Sequence, residues 1–452
     1  MCTPHVKPAA ACSFQAPKPS LTRLEPAGEA PMSSPSEESS SAPRVQMLVV
    51  KVASRCNLNC SYCYVYNLGD TTWKRQPKVM SREVVGTLLQ RVRGHCLRHG
   101  VKSFLFIFHG GEPLLAGPEF YSHFVEEARR ILLPEVTPVF TLQTNGTLLT
   151  DEWCELLASL KIRIGISLDG PKEINDKHRV DHAGKGSYDA TRRGIDTVLA
   201  SPHVRIPLSI LSVINIESDP IAVYEHLKEV GAKTVDFLLP EATHDRPYPG
   251  WGKSEAPYAD WLIAIFDRWF HEKPVPMRIR LFQEIMTDLL GGQSKLDTFG
   301  SSKNEVLVIE TDGGIEPVGS LSICGDGFTK LGASVRTHEF EEALSTRLAQ
   351  DYYLSGQSLS GTCQQCPVHE VCAGGYLPHR FSQKNGFDNP SVYCKDLMKL
   401  ITHIQNKVLE QLPAAARTRL SLTPLSYENA KAALERNLMR SFTLPEQRAA
   451  NS

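Results

Sequence analysis

The stretch Cys56-Asn57-Leu58-Asn59-Cys60-Ser61-Tyr62-Cys63 puts three thiols on one short loop, in C-x3-C-x2-C spacing. It comes just after the apolar run Met47-Leu48-Val49-Val50-Lys51-Val52. A structural zinc site closes with four protein ligands. A cubane iron–sulfur cluster has four irons, each needing one outside ligand. Three local cysteines hold three irons and leave the fourth open to a small molecule. Taken alone, the triad also reads as part of a zinc loop, so the residues that follow it decide its meaning.

The chain has 452 residues, more than one ordinary core, and two or three structural units are expected. Its net charge is −1 and its composition is average, which points away from nucleic acid and from strongly charged partners. No apolar run approaches the length of about 18 residues that a membrane span needs. The N-terminus lacks the apolar core of a secretory signal. The twelve cysteines gather at metal-type spacings rather than as a disulfide framework, which predicts a reducing, cytoplasmic location. Residues 1–44, rich in Pro, Ser, Ala and Glu, read as a disordered tail in which Cys2 and Cys12 are incidental. Residues 406–452 read as a polar, helical tail, with a helix near Tyr427–Arg440.

From residue 46, short β-rich runs alternate with amphipathic stretches. Strands are expected at Met47–Val52, Phe104–Phe108, Val139–Gln143, Ile162–Leu168, Ile206–Ile214 and Val235–Leu239. Helices are expected near 81–99, 118–132, 150–160, 187–201 and 219–231, the last opening with Asp219-Pro220 as cap and first helical residue. Continuous apolar strands separated by helices imply a parallel sheet covered on both faces. Six such units make an α/β partial (β/α)6 barrel over residues 45–240, with chemistry at the carboxyl ends of the strands. Residues 241–305, with helical stretches at Tyr258–Phe270 and Leu281–Leu290, read as a bridge. Residues 306–405 form a cysteine-bearing α+β extension.

After the second strand comes His109-Gly110-Gly111-Glu112-Pro113, after the third Gln143-Thr144-Asn145-Gly146, and after the fourth Ser167-Leu168-Asp169-Gly170-Pro171, with Arg179 further on. Together with the cysteine triad, these motifs resemble the radical S-adenosylmethionine (SAM) enzymes. The resemblance implies that Cys56, Cys60 and Cys63 hold a 4Fe–4S cluster whose open iron is chelated by SAM. Reductive cleavage then yields methionine and a 5′-deoxyadenosyl radical that takes hydrogen from substrate. It also implies that Gly110, Gly111 and Glu112 bind the amino group of SAM, Gln143 and Ser167 face the cofactor, and Arg179 pairs with the SAM carboxylate. Arginine suits that role because its planar fork grips a carboxylate with two bonds. Tyr62 and an apolar wall at Leu238 or Leu239 are assigned to the adenine.

Cys363-x2-Cys366-x5-Cys372 is followed by Cys394, and four cysteines suffice for zinc or for a second 4Fe–4S cluster. With the first motif, this region resembles the SPASM extension of peptide- and protein-modifying radical SAM enzymes, which implies an auxiliary 4Fe–4S cluster. A full SPASM region carries two. Here the further positions hold Val318 and Tyr376, and the segment 291–303 has no cysteine. One auxiliary cluster is therefore expected, giving two 4Fe–4S clusters in all, with Cys324 as the one cysteine that could serve as a displaced ligand. Sulfatase maturases place an aspartate base directly after that upstream cysteine, where this chain has Gly319. The stretches around Cys366, Cys372 and Cys394 resemble the cyclophane-forming maturases of ribosomal peptides.

The function expected from these features is a C–C cross-link, made in a ribosomal precursor peptide between an aromatic ring and the Cβ of a nearby residue. A flavodoxin or ferredoxin would supply electrons, and the auxiliary cluster would take the last one away. Asp312, Glu316 and Asp326 are the candidate proton acceptors. The alternatives are formylglycine formation by an anaerobic sulfatase maturase, or another radical modification such as epimerisation or thioether formation. A non-enzymatic binding protein with structural metal sites is the reading from a different class.

Overall fold

The computed structural model describes residues 43–252, 254–420 and 423–443. The expected tail at 1–44 falls outside these except for its last two residues. Of these, Arg44 is held: it donates its N–H to the Tyr353 hydroxyl and pairs with Glu305 at 2.6 Å.

The strands are β1 (Met47–Ala53), β2 (Ser103–Gly110), β3 (Thr137–Thr144), β4 (Ile162–Ser167), β5 (Ser209–Val213), β6 (Thr234–Leu238), β7 (Arg278–Ile279), β8 (Val306–Ile309) and β9 (Ile315–Glu316). The helices that follow the barrel strands are α1 (Arg82–His99), α2 (Pro118–Leu132), α3 (Asp151–Ser159), α4 (Lys172–His178), α5 (Tyr188–Ala200) and α6 (Pro220–Glu229). After them come α7 (Pro257–His271), α8 (Arg280–Leu289), α9 (Phe340–Leu344), α10 (Arg347–Tyr353), α11 (Gly361–Gln364), α12 (His369–Cys372), α13 (Cys394–Gln411), α14 (Ala414–Leu420) and α15 (Tyr427–Thr443).

All nine strands belong to one sheet, in the order β7-β6-β5-β4-β3-β2-β1-β8-β9. Every pairing is parallel except β8 with β9. The six barrel strands appear in sequence order as expected. The extension is less separate than the sequence suggests, because β8 pairs with the free edge of β1, Met47 opposite Val306 and Val50 opposite Ile309. An unpaired edge exposes a row of backbone donors and acceptors, and β8 satisfies them. A buried ion pair between Lys51 and Glu310, 2.5 Å apart, closes the same junction. At the other edge β7 adds to β6, so the bridge also contributes to the sheet.

Local chemistry explains the barrel's outer layer. The Ser81 hydroxyl accepts from the Val84 N–H at the start of α1, and Gly100 ends that helix in the left-handed conformation. Alternation along β2 turns Phe104, Phe106 and Phe108 to one face, all fully buried. Phe124 of α2 meets Phe106 and Phe108 edge-on, with ring centres 5.4 and 4.9 Å away. The same alternation sends His109 to the inner side of the barrel, where it lines a cavity.

At the end of β2 the chain grips the segment leading into the cysteine loop. Gly111 N–H donates to Ala53 O and Glu112 N–H donates to Arg55 O, both at 2.9 Å. Gly110 has φ +137°, and a Cβ there would lie 2.1 Å from Ala53 O. A Cβ on Gly111 would lie 2.0 Å from the Tyr66 hydroxyl and 2.4 Å from Arg55 O. Both glycines are thus required by contact with backbone. Gly111→Ala is expected to cost about 1–3 kcal/mol through overpacking. It should also lower iron uptake on reconstitution, and unchanged thermal unfolding and iron content would contradict this packing argument.

Candidate active site

The cysteine loop hangs between β1 and the segment after α4. Ser61 N–H donates to His178 O at 3.0 Å and Asn59 N–H to Val180 O at 2.7 Å. Arg179 lies between the two residues whose carbonyls accept from the loop and is therefore pinned against the cysteines. Its Nη1 donates to the Tyr62 hydroxyl at 2.9 Å, which in turn donates to Asp169 at 2.5 Å. Asp169 also accepts the Val213 N–H at 3.0 Å. Burial pushes the Asp169 carboxyl up, and Arg179 pulls it back down. Arg179 is 7% exposed, its Nε has no hydrogen-bond partner, and it lines the cavity.

That cavity, of about 460 Å³, opens along the carboxyl ends of the strands. Cys56, Cys60 and Cys63 line it, as do Tyr62, Gly110, Gly111, Gln143, Ser167, Arg179 and Leu239 from the expected cofactor set. Gln143 Nε2 donates to the Ser167 hydroxyl at 2.9 Å, so the two act as one polar patch. Glu112 is the exception. It is fully buried, and its carboxylate accepts from Leu114 N–H, the Thr144 hydroxyl and Asn145 N–H at 2.7–3.0 Å. Its side chain braces the ends of β2 and β3, while its backbone completes the grip on Arg55. Asn145 Nδ2 reaches Asn57 at 2.8 Å and the Cys56 sulfur at 3.8 Å. Burial, then the charge of Lys51, holds the His109 imidazole down at about 4, so that ring is neutral.

The three candidate proton acceptors lie elsewhere. Asp312 accepts from Gln76 Nε2 and Gly314 N–H in the turn after β8. Glu316 is buried and paired with Lys330. Asp326 accepts from the Thr71 N–H and hydroxyl at the surface. None of the three lines the cavity. Each has a structural partner: Gln76 and Thr71 reach Asp312 and Asp326 from far away in sequence, and Lys330 reaches Glu316 from fourteen residues on. The carboxylates that do face the cavity are Asp236, Glu241, Asp297 and Asp396. Glu241 was visible in the sequence only as the second residue after the expected sixth strand and its proline.

Cys363, Cys366, Cys372 and Cys394 converge on a second, small cage roofed by Met398 and by Leu434 of α15. The chain leaves Cys372 through Ala373, Gly374 and Gly375, all with positive φ. The carbonyls of these three residues wrap the fully buried Arg380 guanidinium at 2.7–3.1 Å. Cys324 is absent from the cage and packs instead beside Leu321, Tyr352 and Leu377. The places where further SPASM cysteines were expected also come together. Val318, Tyr376 and residues 296–299 form one wall of the main cavity, where the Ser320 and Tyr376 hydroxyls are hydrogen-bonded.

Both cysteine sets suit a metal cluster. Burial pushes the Cys56 and Cys394 thiols up to about 12, so a bound cation is what would hold them as thiolates. Four sulfurs around zinc at 2.3 Å sit about 3.8 Å apart. Among the described residues, the one set of three ligand atoms all within 4.8 Å of one another is His95, His99 and Glu341. Neither cysteine set is drawn in to zinc spacing. The histidine set is a brace rather than a site: Val45 N–H donates to His95 Nε2, and Arg98 shares the Glu341 carboxylate.

Residues 50–209 match the Radical SAM superfamily. The cysteine-type anaerobic sulfatase-maturating enzyme of Clostridium perfringens is 26% identical over 363 residues, covering 78% of this chain and 94% of its own. The serine-type enzyme of Bacteroides thetaiotaomicron is 26% identical over 381 residues, covering 79% and 89%. The solved structure described as native anSMEcpe with bound AdoMet and Cp18Cys peptide has a TM-score of 0.68 at 24% identity, covering 83% of this chain and all of that one. The chain is a radical SAM enzyme homologous to sulfatase-maturating enzymes. Among the described residues no helix is long and apolar enough to cross a membrane.

The free Nε of Arg179 carries a direct prediction for cofactor binding. Arg179→Ala should weaken SAM binding about 10- to 100-fold in equilibrium dialysis, the range for losing a charged hydrogen bond. Arg179→Lys should recover only part of it. Affinity unchanged in both variants would remove Arg179 from the cofactor site.

Proposed function

We propose that this enzyme oxidises one residue of a peptide or protein substrate, beginning with removal of a hydrogen from its Cβ. The observation that carries this reading is the single cavity of about 460 Å³ that starts at the cysteine triad and ends at the wall built by Val318 and Tyr376. Its two ends offer different chemistry, the free Arg179 Nε beside the triad and the unpartnered atoms of Glu241 and His379 further along. The peptide named with the solved relative supports a substrate of that class.

Cys56, Cys60 and Cys63 are assigned to a 4Fe–4S cluster, and Arg179, Gln143, Ser167, Gly110 and Gly111 to SAM, which when bound there supplies a 5′-deoxyadenosyl radical. Tyr62 orients Arg179, and Leu239 with Leu238 closes the apolar side. The Cys363, Cys366, Cys372 and Cys394 cage is assigned to one auxiliary 4Fe–4S cluster as the electron acceptor. A flavodoxin or ferredoxin is the proposed source of electrons.

Two products share this first step. The sulfatase-maturating relatives favour conversion of Cys or Ser to formylglycine. The geometry at position 319 favours the cross-link, since a Cβ there would lie 3.1 Å from the Tyr64 ring and leaves little room for a carboxylate. Co-expression with the short reading frames and any sulfatase gene beside its own decides between them. A product that reacts with hydrazide reagents is the aldehyde. One that is two hydrogens lighter and hydrazide-silent is the cross-link. Unchanged substrate mass with SAM consumed would contradict Cβ oxidation altogether.

Metal content gives an independent check. Anaerobic reconstitution should load about eight irons per chain, falling to about four in Cys394→Ala. About twelve irons, or zinc in the cage, would contradict the assignment.

A further inference from the structure

The carboxylates along the main cavity differ in how much of their hydrogen-bonding capacity is used. Asp236 pairs with Arg280 at 3.2 Å. Asp297 accepts the Tyr352 hydroxyl at 2.8 Å. Asp396 caps the first turn of α7, accepting the Tyr258 and Ala259 N–H groups at 2.8 and 2.9 Å, and sits two residues from Cys394. Glu241 is different. Its Oε2 is buried without a hydrogen-bond partner; Asp396 Oδ2 is unpartnered too, but the other oxygen of Asp396 is committed to the α7 cap, whereas Glu241 Oε2 faces His379 Nε2 at 3.4 Å, likewise buried and unpartnered. The side chains are 18% and 4% exposed, so the carboxylate is the more accessible member. Glu241 follows the end of β6, where a (β/α) barrel presents its reactive groups. His379 comes from the cysteine-bearing extension and packs edge-on against the rings of Tyr376 and Tyr393, 5.3 and 4.9 Å away. Two elements distant in sequence thus bring a carboxylate and an imidazole together, both lining the cavity and neither used by the fold.

We propose that Glu241 is the proton acceptor of the oxidation, with His379 positioning its Oε2 and sharing the proton. The inference rests on the reading of the enzyme as a Cβ oxidase of peptides and assigns that chemistry its base. Removal of the Cβ hydrogen leaves a carbon radical. Completing the reaction breaks one more bond to hydrogen, O–H, S–H or ring C–H, while a C=O, C=S or C–C bond forms. The proton goes to Glu241, and the remaining electron goes to a one-electron acceptor of the iron–sulfur class. The base serves either product, since both need one proton removed after the radical has formed.

The test uses the reconstituted holoenzyme and the peptide that it processes on co-expression, synthesised with deuterium at the reacting Cβ. In Glu241→Gln, deuterium should still enter 5′-deoxyadenosine within about twofold of the unaltered enzyme. Product formed per 5′-deoxyadenosine should fall about 100-fold, the range for loss of a positioned base. Freeze-quenched electron paramagnetic resonance should show a peptide-centred radical, the peptide dissociation constant should stay within about twofold, and Glu241→Asp should restore part of the yield. His379→Asn should reproduce the fall in yield in weaker form. An unchanged product ratio in Glu241→Gln would overturn the proposal, and so would product and deuterium transfer falling together with peptide affinity or iron content. No deuterium transfer by the unaltered enzyme would instead overturn the Cβ-oxidation reading, and the proposal with it.

Discussion

The structure depends on the backbone grip between the end of β2 and the entry to the cysteine loop. Two N–H groups, of Gly111 and Glu112, hold the carbonyls of Ala53 and Arg55 at 2.9 Å. The absence of side chains at 110 and 111 is what allows that approach. Glu112 then extends the grip sideways, since its buried carboxylate ties the start of the next short helix to the end of β3. The loop's far side is held by the carbonyls of His178 and Val180, which fixes Arg179 beside it. One set of contacts therefore sets the positions of three thiols, a polar floor and a guanidinium with a free donor.

The cavity's other end is organised by the extension. Because β8 pairs with β1, the cysteine-bearing segments are anchored to the barrel sheet itself rather than tethered by a linker. This brings Tyr376, His379 and Asp396 to the strand ends and lets α15 cover the second cage through Leu434. Arg380 makes the left-handed turn after Cys372 rigid by filling it with a guanidinium. A buried cation there would also offset the negative charge of thiolates in the proposed cage.

Much of this was legible in the sequence, for identifiable reasons. The six barrel strands and the helices after them came out within a few residues, because continuous apolar runs and well-formed caps at Ser81, Thr150 and Asp219 mark them locally. The two cysteine sets were legible from spacing. What sequence could not show were contacts across long separations. The pairing of β8 with β1, the use of Asp312 by Gln76, and the meeting of Glu241 with His379 all join segments far apart. The structural role of Glu112 was hidden for a related reason. Its motif suggested a ligand for an ammonium group, whereas its carboxylate is satisfied by neighbours that only the folded chain brings near. The positions 318 and 376, where further cysteines were expected, share one wall of the cavity in the fold.

The central claim is that one cavity links a radical-generating cysteine triad to a single electron-accepting cage. Anomalous diffraction at the iron edge from anaerobically reconstituted crystals tests it most directly. The account predicts two iron clusters per chain, one at Cys56, Cys60 and Cys63 and one enclosed by Cys363, Cys366, Cys372 and Cys394, with no iron beside Val318 and Tyr376. A third cluster at that wall, or a lone metal ion in the cage, would contradict it.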